Sequence, residues 1–241
     1  MQKGFEMPKK AIVLASGGLD STTIMAIVNY KGYDIYALSF DYGQRHKIEL
    51  EAAKKVAKYF DAKKHLILHI ELDTIGGSAL TEDIIPPQER NLKEISSSGV
   101  PTTYVPARNI IFLSYALAWA EVLGSTNIFI GVNAIDFSNY PDCRQEFVES
   151  FQKTANLATK AGMEGKKIQI HAPLMHMTKG EIIKKGISLG IDYSMTHSCY
   201  NPGKDGLPCG RCDSCLLRKK GFEEAGVKDP LLTRNNSYSK S

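Results

Sequence analysis

The sequence predicts an α/β fold: a doubly wound, mostly parallel sheet with helices on both faces, followed by a small C-terminal region built around four cysteines. Three observations carry this. Short, β-branched apolar runs alternate with longer segments whose apolar residues recur at helical spacing. Tight hairpin signals are missing between them, so successive strands return through crossovers and lie parallel. Four of the five cysteines crowd into Cys199–Cys215.

The elements follow in order. Ala11–Ala15 (AIVLA) reads as a buried strand, and Ser16-Gly17-Gly18-Leu19 as a turn. A helix then runs from Ser21 or Thr22 to about Tyr30, with Asp20, Ser21 and Thr22 as candidate caps and Ile24, Ile27 and Val28 on one face. Asp34–Phe40 is a second strand, Lys47–Phe60 a helix, and His65–Leu72 a third strand. Thr74–Thr103 is a long loop with Gly76-Gly77 and Pro86-Pro87; loops of that length in compact domains are usually functional or partly mobile. Arg108–Leu123 is a strong helix, Asn127–Val132 a strand, Arg144–Ala161 a helix, Ile168–Ala172 a short strand and Thr178–Leu189 a helix.

Composition sets the bounds. The 241 residues, 43% hydrophobic and 23% charged, suffice for one sizeable α/β core. No apolar run approaches the roughly 20 residues that cross a bilayer. Met1–Lys10 lacks an apolar signal core, so a cytoplasmic protein is expected. A net charge of +4 allows anionic ligands without demanding nucleic acid. The expected organisation is a nucleotide-binding body at 9–195, a four-cysteine region at 196–222, and flexible ends at 1–8 and 233–241.

Ligands of such sheets sit at the carboxyl ends of the strands. The glycine turn lies at such an end, where glycines admit unusual backbone angles and a helix start offers free N–H groups to an anion. The turn lacks the G-x-x-x-x-G-K-[ST] and G-x-G-x-x-G patterns. Three further polar clusters follow strands or open helices. Asp41–His46 (DYGQRH) places two cations beside an Asp. Tyr104–Asn109 (YVPARN) sets Arg108 at a helix start, where its fork suits a carboxylate or phosphate. Gly131–Asp136 runs on into Tyr140–Arg144 (YPDCR), dense enough in polar groups to read a heterocycle. Lys179 opens a helix against the dipole, which a bound polyphosphate would offset; an exposed Lys is the plain alternative.

Cys199-x9-Cys209-x2-Cys212-x2-Cys215 has the spacing of a tetrahedral metal site. An iron–sulfur cluster is the alternative, since C-x2-C-x2-C also opens the ferredoxin spacing. The upstream fourth Cys and the missing C-x3-C-P favour Zn²⁺. Four thiolates leave no open position, so the zinc is expected to be structural. Cys143 is left as a core thiol or a small polar-site residue. The six histidines give no metal pair at helical spacing.

Ser16–Ser21 (SGGLDS) resembles the pyrophosphate loop of the PP-loop ATP pyrophosphatases, which split ATP between the α and β phosphates. With DYGQRH, VPARN, YPDCR, TKGEI at Thr178–Ile182 and the cysteine tail, the chain resembles the 7-cyano-7-deazaguanine synthase family of that superfamily over Ala11 to about Phe222. The first loop often carries Gln there, where this chain has Leu19. The resemblance implies an adenine-nucleotide alpha-hydrolase-like fold and a cytoplasmic, homodimeric ligase of queuosine biosynthesis. Its substrates would be 7-carboxy-7-deazaguanine, ammonia and ATP, with Mg²⁺ and one structural Zn²⁺, and without a membrane or stable nucleic-acid partner. It implies ATP binding by Ala15, Ser16, Gly17, Gly18, Leu19, Asp20, Ser21, Thr22, Thr23, Ile24 and Met25, and catalytic roles for Asp20, Ser21 and Lys179. The deazapurine would be bound by Arg108, Asn109, Asp136, Tyr140 and Asp142, and zinc by Cys199, Cys209, Cys212 and Cys215. A tRNA-base thiolating or amidating PP-loop ATPase is the rival, expected to show an iron–sulfur cluster or catalytic Cys and a strongly basic RNA face. A non-catalytic zinc-ribbon module is a more distant rival that leaves the N-terminal loop without a purpose.

Overall fold

The computed structural model describes residues 9–97, 99–133, 140–203 and 205–233. In chain order the elements are β1 (Lys10–Leu14), α1 (Leu19–Tyr30), β2 (Asp34–Asp41), α2 (Ile48–Tyr59), β3 (Lys64–His69), α3 (Leu92–Ser97), α4 (Arg108–Leu123) and β4 (Asn127–Phe129). They continue with α5 (Gln145–Leu157), α6 (Lys160–Met163), β5 (Gln169–His171), α7 (Lys179–Ser188), α8 (Asp213–Ala225) and α9 (Pro230–Thr233). The strands form one sheet in the order β3-β2-β1-β4-β5, and every pairing is parallel. Among the described residues no helix is long and apolar enough to cross a membrane.

β1 lies at the centre, and its alternating side chains feed two cores. Ala11, Val13 and Ala15 pack with α1 and with Ile182 and Ile183 of α7. Ile12 and Leu14 pack with Leu113, Ala116 and Ala120 of α4 and Val148 of α5. A strand buried on both faces has no polar alternation to show, which is why AIVLA reads as a continuous apolar run. The chain winds outward from β1 through β2 to β3, then crosses to β4 on the other side of β1. Connections leaving β1 and β4 therefore diverge and open a crevice at their carboxyl ends.

Local boundaries depart from expectation where tertiary contacts replace local signals. α1 starts at Leu19 with Gly18 as its N-cap, so Asp20, Ser21 and Thr22 sit inside the first turn and cap nothing. Their hydroxyls turn back instead: Ser21 and Thr22 donate to the Gly18 carbonyl at 3.1 and 2.8 Å. α1 is buried along most of its length rather than on one face. The expected helix 144–161 divides into α5 and α6, because the Thr159 side chain accepts from Gly162 and restarts the chain. The expected loop 74–103 holds α3 and folds back on itself through Ala79 N–H to Thr102 O. β3 stops at His69, and Leu72 opens a short 3-10 turn. α4 has no local side-chain cap, and its N-cap Ala107 has φ +56°. The carboxylate of the distant Asp142 supplies the missing acceptor, taking the Asn109 N–H at 3.0 Å.

Candidate active site

The crevice between β1 and β4 is a cavity of about 260 Å³. Its floor is the loop Ser16–Gly18 and the first turn of α1. Its walls come from the ends of β2 and β4, from α2 and α4, and from the cysteine region. Gly17 shapes the floor. It has φ +78°, and an added Cβ would stand 2.4 Å from the backbone of Glu49 and Ala53 in α2. Gly17 O accepts the His197 N–H at 3.0 Å, tying the loop to the segment that leads into the cysteines. Ser16 Oγ accepts from the Gly18 N–H at 3.3 Å and bonds Ser21 Oγ at 3.1 Å. The first three N–H groups of α1 have no intrahelical acceptor and form an anion cradle.

Lys179, the first residue of α7, is buried, with 5% of its surface exposed. Its Nζ donates to both oxygens of Asp20 at 2.8 Å. The carboxylate in turn suits the first turn of α1, where the helix dipole favours negative charge. The Thr178 capping box fixes the start of α7 and so aims Lys179 at the loop.

The far half of the cavity is aromatic and polar. Arg108 stands over the rings of Tyr42 and Phe112, with its guanidinium carbon 5.8 and 5.9 Å from their centroids. Tyr140 bonds Thr103 at 2.6 Å. Burial pushes the Cys143 thiol up to about 12, so it is a neutral wall residue. Burial likewise pushes the Glu49 carboxyl up to about 7, against the pull of Arg108. The buried His197 imidazole is pushed down to about 4 by the same desolvation and is neutral.

Of the residues expected from sequence, Ala15, Ser16, Gly18, Leu19, Asp20, Ser21, Arg108, Asn109, Tyr140 and Lys179 line this one cavity. Thr22, Thr23, Ile24 and Met25 are buried behind the floor, where Thr23 bonds Tyr193 at 2.7 Å. Asp142 is also buried and does not line the cavity; it holds Asn109. Asp136 lies outside the described residues. Tyr42, from the DYGQRH cluster, also lines the cavity, and Glu49, His197 and Tyr200 line it without having been singled out. Glu49 sits in a stretch, KIELEAAKK, that reads as an ordinary charged helix. Only the packing of α2 against Gly17 turns it inward. His197 had a weak signal, two residues before Cys199.

The Sγ atoms of Cys199, Cys209, Cys212 and Cys215 lie within 4.8 Å of one another, with Cys199 and Cys212 3.9 Å apart. Four sulfurs at about 2.3 Å around one ion stand about 3.8 Å apart, so the set fits a tetrahedral ion. Backbone N–H groups of Asn201 and Cys209 point at Cys199 Sγ at 3.4 and 3.2 Å, and Cys212 N–H at Cys209 Sγ at 3.3 Å. The loop before α3 is clasped to this knuckle. Gln88 pairs with Cys212, Glu89 N–H donates to Arg211 O at 2.9 Å, and Arg90 forks onto Asp213. Tyr200, Ser214, Leu217 and Arg218 make the knuckle and α8 one wall of the cavity.

The family described as "Queuosine biosynthesis protein QueC" matches residues 10–226. A relative from Desulfatibacillum aliphaticivorans, named 7-cyano-7-deazaguanine synthase, is 61% identical over 223 residues, covering 92% of this chain and 95% of its own. Proteins of the same name from Solidesulfovibrio magneticus and Geobacter metallireducens are each 60% identical. The first covers 95% of this chain and 97% of its own, the second 93% of each. Identity at that level, sustained over nearly the full length of both partners, makes this chain a member of the queuosine biosynthesis protein QueC family.

Proposed function

We propose that the chain is a 7-cyano-7-deazaguanine synthase, a C–N bond-forming ligase that turns 7-carboxy-7-deazaguanine and ammonia into the nitrile with cleavage of ATP to AMP and pyrophosphate. The supporting observation is that the SGGLDS cradle with its Lys179–Asp20 pair shares one cavity with Arg108 and an aromatic wall. That arrangement suits a polyphosphate beside a flat acid. A carboxylate oxygen of the substrate attacks the α-phosphorus, and the bond to pyrophosphate breaks. Ammonia adds to the acyl adenylate, loses a proton, and expels AMP to leave the amide. A second ATP takes the amide oxygen in the same way, and loss of AMP and protons leaves the nitrile.

Both transfers gather negative charge on the leaving pyrophosphate. The N–H groups of the α1 start and the Lys179 ammonium are the donors for it, each worth roughly 3 kcal/mol of barrier. Ser16 and Ser21 hold the loop in shape. Mg²⁺ travelling with ATP would neutralise phosphate charge. Both oxygens of Asp20 are engaged by Lys179, so Asp20 suits a positioning role better than that of a direct ligand. Arg108 is the clamp for the substrate carboxylate, Tyr140 a wall for the ring, and Asp142, through Asn109, the anchor that fixes the start of α4. Asp136 stays a candidate ring reader. Zn²⁺ would be held by the four cysteines as a structural ion with no open position. Residues 9–195 would be the nucleotide-binding body and 196–222 the zinc region. We read the enzyme as cytoplasmic, since cysteines kept reduced for a metal suit a reducing compartment. We also read it as a homodimer drawing ammonia from solution.

The test supplies purified protein with ATP, ammonium and 7-carboxy-7-deazaguanine. Acid-dependent pyrophosphate release, with the nitrile identified by mass spectrometry, is expected. Pyrophosphate release that responds to tRNA and not to the acid would replace this reading with the tRNA-base modifying one.

A further inference from the structure

Two carboxylates line the cavity among the described residues, and they are in opposite states. Asp20 is held at both oxygens by Lys179. The Glu49 carboxylate makes no hydrogen bond or ion pair with any described residue. It feels Arg108 through space but forms no ion pair with it. The start of α2 favours negative charge at Glu49, as α1 does at Asp20, but a partly buried carboxylate turned into a cavity with no donor on it is poorly solvated. Its place on the cavity wall is explained if a ligand supplies the donors. The surrounding groups narrow the ligand. Tyr42 and Phe112 offer flat aromatic faces beside Arg108. The cavity thus presents an anion acceptor for donors, a cation for acid, and rings for stacking.

We propose that Glu49 reads the guanine-type edge of the deazapurine, its two carboxylate oxygens accepting from the ring N–H and the neighbouring exocyclic amine. The proposal rests on the synthase reading and deepens it. A guanine-type six-membered ring carries those two donors side by side, a match for the paired oxygens of one carboxylate. The substrate's own carboxylate lies on the five-membered ring, at the other end of the molecule. A site with separate Glu49 and Arg108 groups that do not quench each other suits a ligand with a donor edge and an acid end. Asp142 is unavailable for the same task, because its carboxylate takes the Asn109 N–H. Once the donors are in place they also stabilise the charged form of Glu49, so binding and ionisation reinforce each other.

The experiment compares wild type with Glu49→Gln, which preserves shape but opposes a donor to one of the ring donors. Kinetics are run with the guanine-type acid and with its analogue lacking the exocyclic amine, and melting is followed without ligand. A site built to pair a polar group discriminates by large factors, so KM for the acid should rise at least about 100-fold in E49Q, with KM for ATP within about twofold of wild type. Wild type should reject the amine-less analogue strongly, while E49Q should treat acid and analogue within about tenfold of each other. Ligand-free E49Q should melt at or above the wild-type temperature, since an unpartnered carboxylate has been removed. An unchanged KM for the acid in E49Q overturns the proposal, and so does a lower melting temperature with equal losses toward acid and ATP. Absence of acid-dependent pyrophosphate release in wild type itself would instead overturn the parent reading.

Discussion

Lys179 and Glu49 are both ionisable side chains drawn into the cavity, and they show opposite ways of living there. Lys179 is neutralised by Asp20 at two contacts of 2.8 Å. Asp20→Ala would take both of these contacts from a buried ammonium, which should destabilise the fold. That variant is expected to melt lower as well as to lose pyrophosphate chemistry, and ATP should restore part of the stability by offering phosphate to Lys179. Calorimetry with and without ATP checks it; an unchanged melting temperature would mean that the pair contributes nothing to the ligand-free fold. Glu49 has no such partner among the described residues, and its carboxyl rises from the ordinary 4.5 to about 7 because burial penalises the charge. The folded state therefore keeps a proton that the unfolded state releases. Stability from this group is full below about pH 4.5 and is lost as pH climbs to 7, by about 3 kcal/mol in all. The difference between wild-type and E49Q unfolding free energies should trace that decline, and a flat difference across the window would refute it. Sequence showed Lys179, because a cation at a helix start is an anomaly. It hid Glu49, because a Glu in the first turn of a helix is not.

At the level of elements, the strongest local signals were read correctly and the rest yielded to tertiary contacts. α4 runs over Arg108–Leu123 as expected, closed by the left-handed Gly124. α1 begins before its apparent caps because the Gly18 turn and the packing of α7 set its start. The function of Asp142 was illegible for a related reason: its partner Asn109 is 33 residues away, and no local pattern records such a bond. The cysteine spacing was legible, but not the knuckle's place as a cavity wall clasped by Gln88–Arg90. This clasp changes what metal removal should do. Chelation is expected to release the amides of Glu89, Cys209 and Cys212, which bond to the knuckle or its sulfurs, and that of His197, which holds Gly17 O. Hydrogen exchange should then accelerate at those amides while Ile24–Val28 in α1 stay protected. Activity should fall with the knuckle, before global melting. Unchanged protection in protein proved metal-free would separate the knuckle from the site.

At the level of the whole molecule, the sequence conveyed the class of sheet but not its order. Alternation of elements is written along the chain, whereas the placement of β4 beside β1 depends on which crossover packs on which face. That order creates the crevice, so the candidate residues could be collected from sequence without a map of how they meet. What holds the last third of the chain onto the sheet is likewise a long-range feature. Arg218 of α8 is buried and bonds Asp229 through Nε and Nη2 at 2.6 and 2.9 Å, Thr196 at 2.8 Å and the Tyr193 carbonyl at 3.1 Å. It also stands 5.2 Å from the Phe222 ring centroid. One guanidinium thus fastens the α8–α9 turn to the segment that leads into the knuckle, and it lines the cavity as well. Asp229→Ala strips the charge partner from a cation with little access to water, which should lower stability by about 3 to 5 kcal/mol. In a chain of this size that is a fall of roughly 6–20 °C in melting temperature. Glu223→Ala is the control on the same helix. Its pair with Lys219 spans 3.9 Å with both side chains two-thirds exposed, so its loss should cost less than about 1 kcal/mol. Equal melting of the two variants would show that the Arg218 node is no anchor. A drop confined to Asp229→Ala, with metal content unchanged, would place the anchor in the ion pair rather than in the zinc.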